Sequence, residues 1–268
     1  MTHFTRRHLA ATTAALACST LLAAWAPAAS AQSVEEIKKK GTLTVGLLVD
    51  FPPYGTIDIA NQPDGYDADV ARLLARDLGV KLVLVPVTGP NRIPFLLTNK
   101  VDVLVASLAV TPERAKQVQF SRPYSAATIV LFGAKKISVK GPADLKGLRV
   151  GVARASTQDT ALTAMAPEGA EIRRFDDDAS AMQALLSGQV DAIGCSTTVA
   201  AVIAKRAGDA FENKLVLKQQ FMAVAMRQGQ IDLHKSVDAF VARSVASGEL
   251  TKLYQKWLQT DLPTLPAN

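Results

Sequence analysis

Apolar runs of strand length alternate with helical patterns along most of the chain. The first set of elements reads strand, helix, strand, helix, strand, at residues 42–48, 67–78, 81–87, 91–97 and 101–106. The first helix shows the clearest period, because Val70, Leu74 and Leu78 fall on one face. This alternation predicts an α/β fold with largely parallel sheets.

The same order of elements then starts again. Strands and helices alternate at residues 148–152, from 157, 171–175, 179–186, 190–195 and 198–205. Asp102 and Asp191 each open an apolar strand that leads to a serine, Ser107 in the first half and Ser196 in the second. Open α/β sheets bind ligands at the carboxyl ends of their strands, so both serines are candidate ligand contacts.

Two further apolar runs, residues 128–132 and 221–226, bracket the second half. We expect them to cross between the halves. After the second run only helical patterns follow, at residues 233–246 and 249–258, and this segment should return to the first half.

The chain is therefore predicted to form two α/β lobes joined by a two-strand hinge. Residues 32–128 and 221–268 would form lobe 1, and residues 129–220 would form lobe 2. Two connections of this kind suit a cleft that closes around a small molecule.

Residues 1–31 have the pattern of an export signal. Arg6 and Arg7 give a basic start, an Ala/Leu/Thr-rich run reaches Trp25, and Ala29-Ser30-Ala31 is a small-x-small cleavage site. The paired arginines are compatible with twin-arginine export, and an ordinary secretory signal is favoured. We expect cleavage after about Ala31 and export of a soluble product.

Composition excludes several classes of function. The net charge is +6, but apart from Lys38-Lys39-Lys40 the basic residues are dispersed, which does not indicate nucleic-acid binding. Cys195 is the only cysteine after the signal, so no intrachain disulfide is expected. The acidic residues lack metal-ligand spacing with His or Cys, and neither a metal nor a cofactor is predicted.

An arginine stands near a predicted helix start. Thr111 suits the N-cap, Pro112 the first helical position and Glu113 the first turn. Arg114 follows, where the positive end of the helix dipole disfavours a guanidinium. A bound carboxylate would resolve this conflict, because it can accept from the arginine fork and from the free N–H groups.

Four motifs together resemble the bacterial periplasmic solute-binding proteins for polar amino acids, the receptors of ABC importers. They are Phe51-Pro52-Pro53-Tyr54, Gly65-Tyr66-Asp67-Ala68-Asp69-Val70, Thr111-Pro112-Glu113-Arg114 with Phe120-Ser121-Arg122-Pro123-Tyr124, and Gly248-Glu249-Leu250 running to Lys256-Trp257. The resemblance implies a type II periplasmic-binding-protein fold with two lobes, a cleft that binds an amino acid, and docking to a membrane permease.

The resemblance also implies roles for single residues. Arg114 matches the arginine that holds the ligand's α-carboxylate, and Ser107 a position that contacts its ammonium end, partly through backbone. Thr157 matches the lobe 2 residue whose N–H completes the carboxylate site, while Ser156 or Thr157 also suits the cap of its helix. Phe51 matches an aromatic that stacks on the ligand side chain.

Two departures from the family pattern concern the ligand's ammonium. Ser196 stands where most of the family has an aspartate, and Ala109 where a hydroxyl is common. Losing an ionic partner in a closed cleft is costly unless another group compensates. A carboxylate other than an ordinary amino acid therefore remains an alternative ligand.

Arg92 is a candidate for a second anion contact. The tetrad Asn91-Arg92-Ile93-Pro94 resembles one in the glutamate/aspartate-binding branch, where the arginine binds the side-chain carboxylate. Leu48 replaces another arginine of that branch. These residues favour a polar or acidic amino acid, and the alternative is that Arg92 lies on the cleft rim.

A related branch of the same fold consists of dehydratases of cyclic carboxylates. Catalysis would need an acid or base of tuned pKa in the cleft. The sequence shows no obvious one, because His234 is the only histidine after the signal and lies in a terminal helical segment. A binding protein without catalytic residues is therefore the favoured interpretation.

Overall fold

The computed structural model describes residues 33–266. The predicted export signal and its cleavage site lie outside these residues. No helix of the described part is long and apolar enough to cross a membrane.

Helices and strands follow one another in the predicted order. The helices are α1 Val34–Lys40, α2 Tyr66–Leu78, α3 Arg92–Leu97, α4 Pro112–Ala115, α5 Thr157–Met165, α6 Asp178–Leu186, α7 Thr197–Ala207, α8 Ile231–Ala246 and α9 Glu249–Leu258. The strands are β1 Thr42–Leu48, β2 Thr56–Ile57, β3 Pro63–Asp64, β4 Lys81–Val87, β5 Val103–Leu104, β6 Val118–Ala134, β7 Arg149–Ala153, β8 Glu171–Phe175, β9 Ala192–Ser196 and β10 Phe211–Arg227.

Eight of the strands form one mixed sheet, in the order β4-β1-β5-β10-β6-β9-β7-β8. β1 pairs in parallel with β4 and β5, and β7 pairs in parallel with β8 and β9. β6 and β10 run antiparallel to each other and join the two parallel halves. The predicted α/β fold with two lobes and a two-strand hinge is confirmed. The exact lobe boundaries stay a prediction.

The crossing strands are longer than predicted. Residues 128–132 and 221–226 are only the apolar parts of β6 and β10, each of which has 17 residues. Polar residues such as Lys218 and Gln219 pair in register with Ile129 and Thr128, so the ladder continues where the apolar pattern stops. Backbone pairing, rather than side-chain burial, extends these strands.

The strand predicted at residues 101–106 is wrong in its extent, because only Val103 and Leu104 pair as β5. The chain then leaves the sheet, and Ser107 has a left-handed φ of 47°. This conformation is uncommon for a residue other than glycine and ends the strand just before the cleft.

Helix α1 was not predicted, although its capping signal is present in the sequence. Ser33 accepts from the backbone N–H of Glu36, and the Glu36 carboxylate accepts from that of Ser33. Such a reciprocal box is a recognisable helix start.

The C-terminal segment returns to the first half, as predicted. Trp257 Nε1 donates to Asp69 on α2 at 2.7 Å. The hydroxyls of Tyr54 and Tyr254 both donate to the carbonyl of Ala126 on β6, at 3.1 and 3.0 Å. Helix α9 is thereby attached to the hinge as well as to α2.

Cys195 lies buried in β9 and forms no disulfide among the described residues. Burial, together with the nearby charge of Asp178, raises the pKa of its thiol far above the ordinary value. The side chain is packed as a small apolar residue.

Candidate functional site

Seven of the eight predicted site residues line one cavity between the two halves of the sheet. They are Phe51, Arg92, Ser107, Ala109, Arg114, Ser156 and Thr157. The cavity lies at the carboxyl ends of parallel strands, where α/β sheets place ligand sites.

Arg114 reaches across this cavity. Its Nη1 donates to Ala109 O at 2.9 Å, and its Nη2 donates to Ala155 O, in the other half of the molecule, at 3.0 Å. Within residues 33–266 no carboxylate forms a salt bridge with it. Burial, and next the charge of Arg92, lowers the pKa of Arg114 to about 9. An anion bound here would offset both effects.

The helix dipole is one part of the explanation for Arg114. Thr111 and Pro112 start the helix as predicted, and Thr111 Oγ1 accepts from the Arg114 N–H at 3.3 Å. However, α4 has only four residues, so its dipole is small. Burial and the neighbouring Arg92 are the causes that lower the pKa of Arg114.

Ser107 is held by a buried network. Its hydroxyl donates to Asp67 Oδ2 at 2.7 Å, its N–H donates to the Tyr124 hydroxyl at 3.1 Å, and that hydroxyl donates to Asp67 Oδ1 at 2.8 Å. Burial raises the pKa of Asp67 to about 6, against the lowering effect of these hydrogen bonds. Because the Ser107 hydroxyl and the Ser107 N–H both donate within the protein, only acceptor atoms of Ser107 are available to a ligand.

Asp67 lies in the first turn of α2 but does not cap that helix. The N-cap of α2 is Gly65, and no side chain caps that helix end. The Asp67 carboxylate is fully buried and fixes the strand end at Ser107.

The second half of the molecule contributes the start of α5. Ser156 caps this helix, since its Oγ accepts from the Asp159 N–H at 3.1 Å and donates to Ala153 O at 2.6 Å. Thr157 donates from its hydroxyl to Gln220 Oε1. The first N–H groups of a helix have no partners within it, so this end can receive a carboxylate together with Arg114.

Phe51 and Ala109 form apolar parts of the wall. Phe51 is buried and stacks on Tyr54 with 5.4 Å between ring centroids. Ala109 is buried and bridges to Met222 of β10. Phe51 is therefore both packed in a loop and exposed to the cavity, and its ligand contact stays a prediction.

Ser196 does not line the cavity among the described residues. It is completely buried and caps α7, where its Oγ accepts from the Val199 N–H at 3.2 Å and lies 2.6 Å from Thr198 Oγ1. Its hydroxyl is thus used by the helix start. The predicted ligand contact of Ser196 stays without support from this geometry.

Arg92 lies in the cavity wall rather than on the rim. It is 5% exposed, and its Nη1 donates to Ala106 O at 2.9 Å. Burial lowers its pKa, and the charges of Asp178 and Asp50 oppose that shift. The guanidinium therefore already faces two carboxyl groups of the protein.

Sequence reasoning missed Asp50, Gln158, Asp178 and Gln220, which also line the cavity. Asp50 follows β1 and Asp178 follows β8, so both occupy the strand-end position that identified Ser107. Gln220 lies on the crossing strand β10, and no sequence motif marks it.

The family model of the bacterial extracellular solute-binding proteins, family 3, matches residues 43–260. The chain belongs to this family.

Individual relatives cover most of the chain. The L-cystine-binding protein TcyJ of Escherichia coli is 30% identical over 232 residues, which is 85% of this chain and 87% of that protein. A crystal structure of a mutant ArgBP from T. maritima superposes with a TM-score of 0.79 at 33% identity, over 85% of this chain and 99% of that one.

A third relative concerns the enzymatic alternative. The structure of the ancestral amino acid-binding protein AncCDT-1, described as a precursor of cyclohexadienyl dehydratase, matches with a TM-score of 0.76 at 34% identity. It covers 84% of this chain and 98% of that one. The family thus agrees with the two-lobed fold and with binding of solutes outside the cell.

Proposed function

We propose that this protein is the periplasmic receptor of an ABC importer and that its cleft closes on an amino acid. Arg114 carries the proposal, because this cleft cation contacts both halves of the molecule and lacks a carboxylate partner within residues 33–266. A ligand α-carboxylate would accept from Arg114 and from the start of α5. The named relatives are amino-acid-binding proteins, which supports this class of ligand.

The remaining features of the proposal follow from the sequence and the family. They are export with cleavage after about Ala31, action as a monomer, and delivery of the ligand to a membrane permease. The lobe boundaries, residues 32–128 with 221–268 and residues 129–220, belong to the proposal as well. The expectation of a polar or acidic ligand side chain at Arg92 rests on the sequence motif alone.

A thermal-shift screen of the purified protein tests the ligand class. The probes are the twenty L-amino acids, dicarboxylates and polyamines. A ligand at about a thousandfold above its Kd adds roughly 4 kcal/mol of stability, which moves Tm visibly. A shift produced by a dicarboxylate and by no amino acid would favour the alternative of a carboxylate receptor.

The variant Arg114→Ala tests the site. Charged hydrogen bonds of this kind contribute roughly 1.5–3 kcal/mol, so affinity should fall by at least about tenfold. Arg243→Ala is the matched control, because Arg243 is exposed and pairs with Asp77 on another face. Full affinity in Arg114→Ala would contradict the assignment.

One observation favours the enzyme as a second candidate. Burial, and next the charge of Asp50, raises the pKa of Asp178 in the cavity to about 7, a value suited to proton transfer. The receptor proposal predicts that the protein returns its ligand unchanged. Conversion of a cyclic carboxylate by the wild-type protein, lost in Asp178→Asn, would instead support an enzyme.

A further inference from the structure

Two carboxyl groups approach each other across the cleft from the two halves of the sheet. Asp50 follows β1, and its Oδ1 is buried without a hydrogen-bond partner in the described part of the chain. Asp178 is the first residue of α6, and its Oδ1 accepts from Gln158 Nε2 at 3.0 Å. Both line the cavity that contains Arg114.

Asp50 lies close enough to Asp178 to influence its carboxyl group. The pKa of Asp50 is raised to about 6, first by burial and then by the charge of Asp177, and the backbone N–H of Asp178 opposes this rise. After burial, the charge of Asp50 is the next cause that raises the pKa of Asp178. Closing the cleft therefore brings like charges together, which costs free energy unless a cation lies between them.

Arg92 offsets only part of this negative charge. Asp178 and Asp50 are the two charges that act most on Arg92, while its Nη1 is occupied by Ala106 O. Arg154 also lines the cavity and pairs with Asp176 at 3.1 Å, so Arg92 is left beside Asp50, Asp177 and Asp178. A ligand cation would reduce this excess of negative charge.

The carboxylate end of the cavity and the acidic pair are one side chain apart. Arg114, on α4, reaches Ala155 O beside the start of α5. Gln158, in the first turn of α5, donates from its Nε2 to Asp178 Oδ1 at 3.0 Å. A ligand with a carboxylate at Arg114 would thus extend its other end toward Asp50 and Asp178.

We infer that Asp50 and Asp178 form a subsite for a positively charged side chain, so that the ligand is a cationic amino acid. The inference rests on the proposed function, since it takes the α-carboxylate to lie at Arg114. A guanidinium or ammonium between the two carboxylates pairs with both and favours closure. A ligand carboxylate at Arg92 would instead approach both of these acidic groups.

Calorimetric titration with L-arginine, L-citrulline and L-glutamate tests the charge requirement. Citrulline has nearly the shape of arginine but a neutral side chain, so the pair isolates the charge. We expect arginine to bind at least tenfold more tightly than citrulline, and glutamate more weakly than either. Equal binding of arginine and citrulline, or a preference for glutamate, would overturn the inference.

The variants Asp178→Asn and Asp50→Asn test the residues. Each should weaken arginine binding at least tenfold and leave citrulline binding within about twofold. Asp209→Asn is the control, because Asp209 is almost fully exposed and pairs with Lys135 away from the cavity. Unchanged arginine affinity in both cleft variants would contradict the subsite. If a variant fails to fold, the order of the three ligand affinities in the wild-type protein still tests the subsite.

The two proposals fail in distinguishable ways. If neutral or acidic amino acids bind tightly and Arg114→Ala abolishes that binding, the receptor proposal stands and the cation subsite falls. If no amino acid binds, or if Arg114→Ala retains full affinity, the receptor proposal itself fails.

Discussion

At the residue scale, three aspartate carboxyl groups of the cleft have different roles. Asp67 is held by Ser107 and Tyr124, whereas Asp178 accepts from Gln158 and Asp50 Oδ1 has no hydrogen-bond partner in the described part of the chain. Asp67 stabilises the shape of the cavity, whereas Asp50 and Asp178 are free to respond to a ligand. Residue type alone does not separate these roles, because all three are aspartates near a strand or helix end.

The pH dependence of stability should reveal Asp178. Its pKa of about 7 in the folded protein exceeds the ordinary value of 3.8. The folded state thus retains a proton that the unfolded state releases between about pH 4 and 7, and stability falls as pH rises through this window. Asp178→Asn should remove part of that fall and raise Tm of the unliganded protein at pH 8, by roughly 2–4 °C for about 1 kcal/mol.

Melting curves of the wild-type protein and Asp178→Asn at pH 5 and pH 8, without ligand, make this measurement. The groups that face Asp178 and shape its titration are Asp50, Asp177 and Arg92. Asp209→Asn should keep the wild-type dependence. An equal slope in Asp178→Asn would show that this carboxyl group does not titrate as described.

The hydroxyl of Tyr124 offers a second residue-scale prediction. Tyr124→Phe removes both the donor to Asp67 and the acceptor for the Ser107 N–H. Leaving such buried groups unpaired should lower the free energy of unfolding by about 1–3 kcal/mol and weaken ligand binding. Denaturant unfolding and calorimetry measure the two effects.

Tyr66→Phe provides the matched control, because its hydroxyl donates to Tyr124 O and does not touch Ser107. Both variants should lose stability. Only Tyr124→Phe should also lose affinity, and equal affinity in the two variants would contradict a positioning role for the network.

At the element scale, the loop between β4 and α3 comes very close to the backbone of the other half of the molecule. A Cβ added to Gly89, in the loop between β4 and α3, would lie 2.7 Å from Arg154 O in the other half. Such a distance is shorter than side chains tolerate, so this loop position needs glycine when the halves are together.

Gly89→Ala should therefore oppose closure. An overpacked contact typically costs 1–3 kcal/mol, so ligand affinity should fall by roughly 5- to 100-fold while the fold persists. Gly141→Ala is the control, because nothing lies within 4 Å of its added Cβ. Wild-type affinity in Gly89→Ala would show that the contact is not needed for binding.

Elements were predictable from sequence where an apolar run ends at a turn residue. Strands 42–48, 81–87 and 171–175 have the predicted bounds, because turns or loops close them at both ends. The length of β6 and β10 was not predictable, since pairing between distant residues extends them beyond the apolar pattern.

The candidate site, too, was only partly predictable from sequence. Arg114, Thr157 and Ser107 were found from local motifs, and the structure brings them to one cavity. The approach of Asp50 to Asp178 depends on how two halves of the sheet come together, which no local pattern encodes. Sequence thus located the carboxylate end of the site more readily than its other end.

At the scale of the whole molecule, the two-strand hinge predicts a change of shape on binding. β6 and β10 are the only strands of the described sheet that link its parallel halves, so bending there would move the halves apart without breaking their cores. Small-angle scattering should show a smaller radius of gyration with saturating ligand. The same radius in both states would contradict closure.

The buried thiol of Cys195 also offers a way to measure local unfolding of the protein. A thiol with a raised pKa inside β9 should react with alkylating reagents only when that part of the molecule unfolds. The rate of labelling would then count unfolding events in the second half of the sheet, separately from the first. A ligand that joins the two halves should slow the labelling of Cys195, although it does not contact the sulfur.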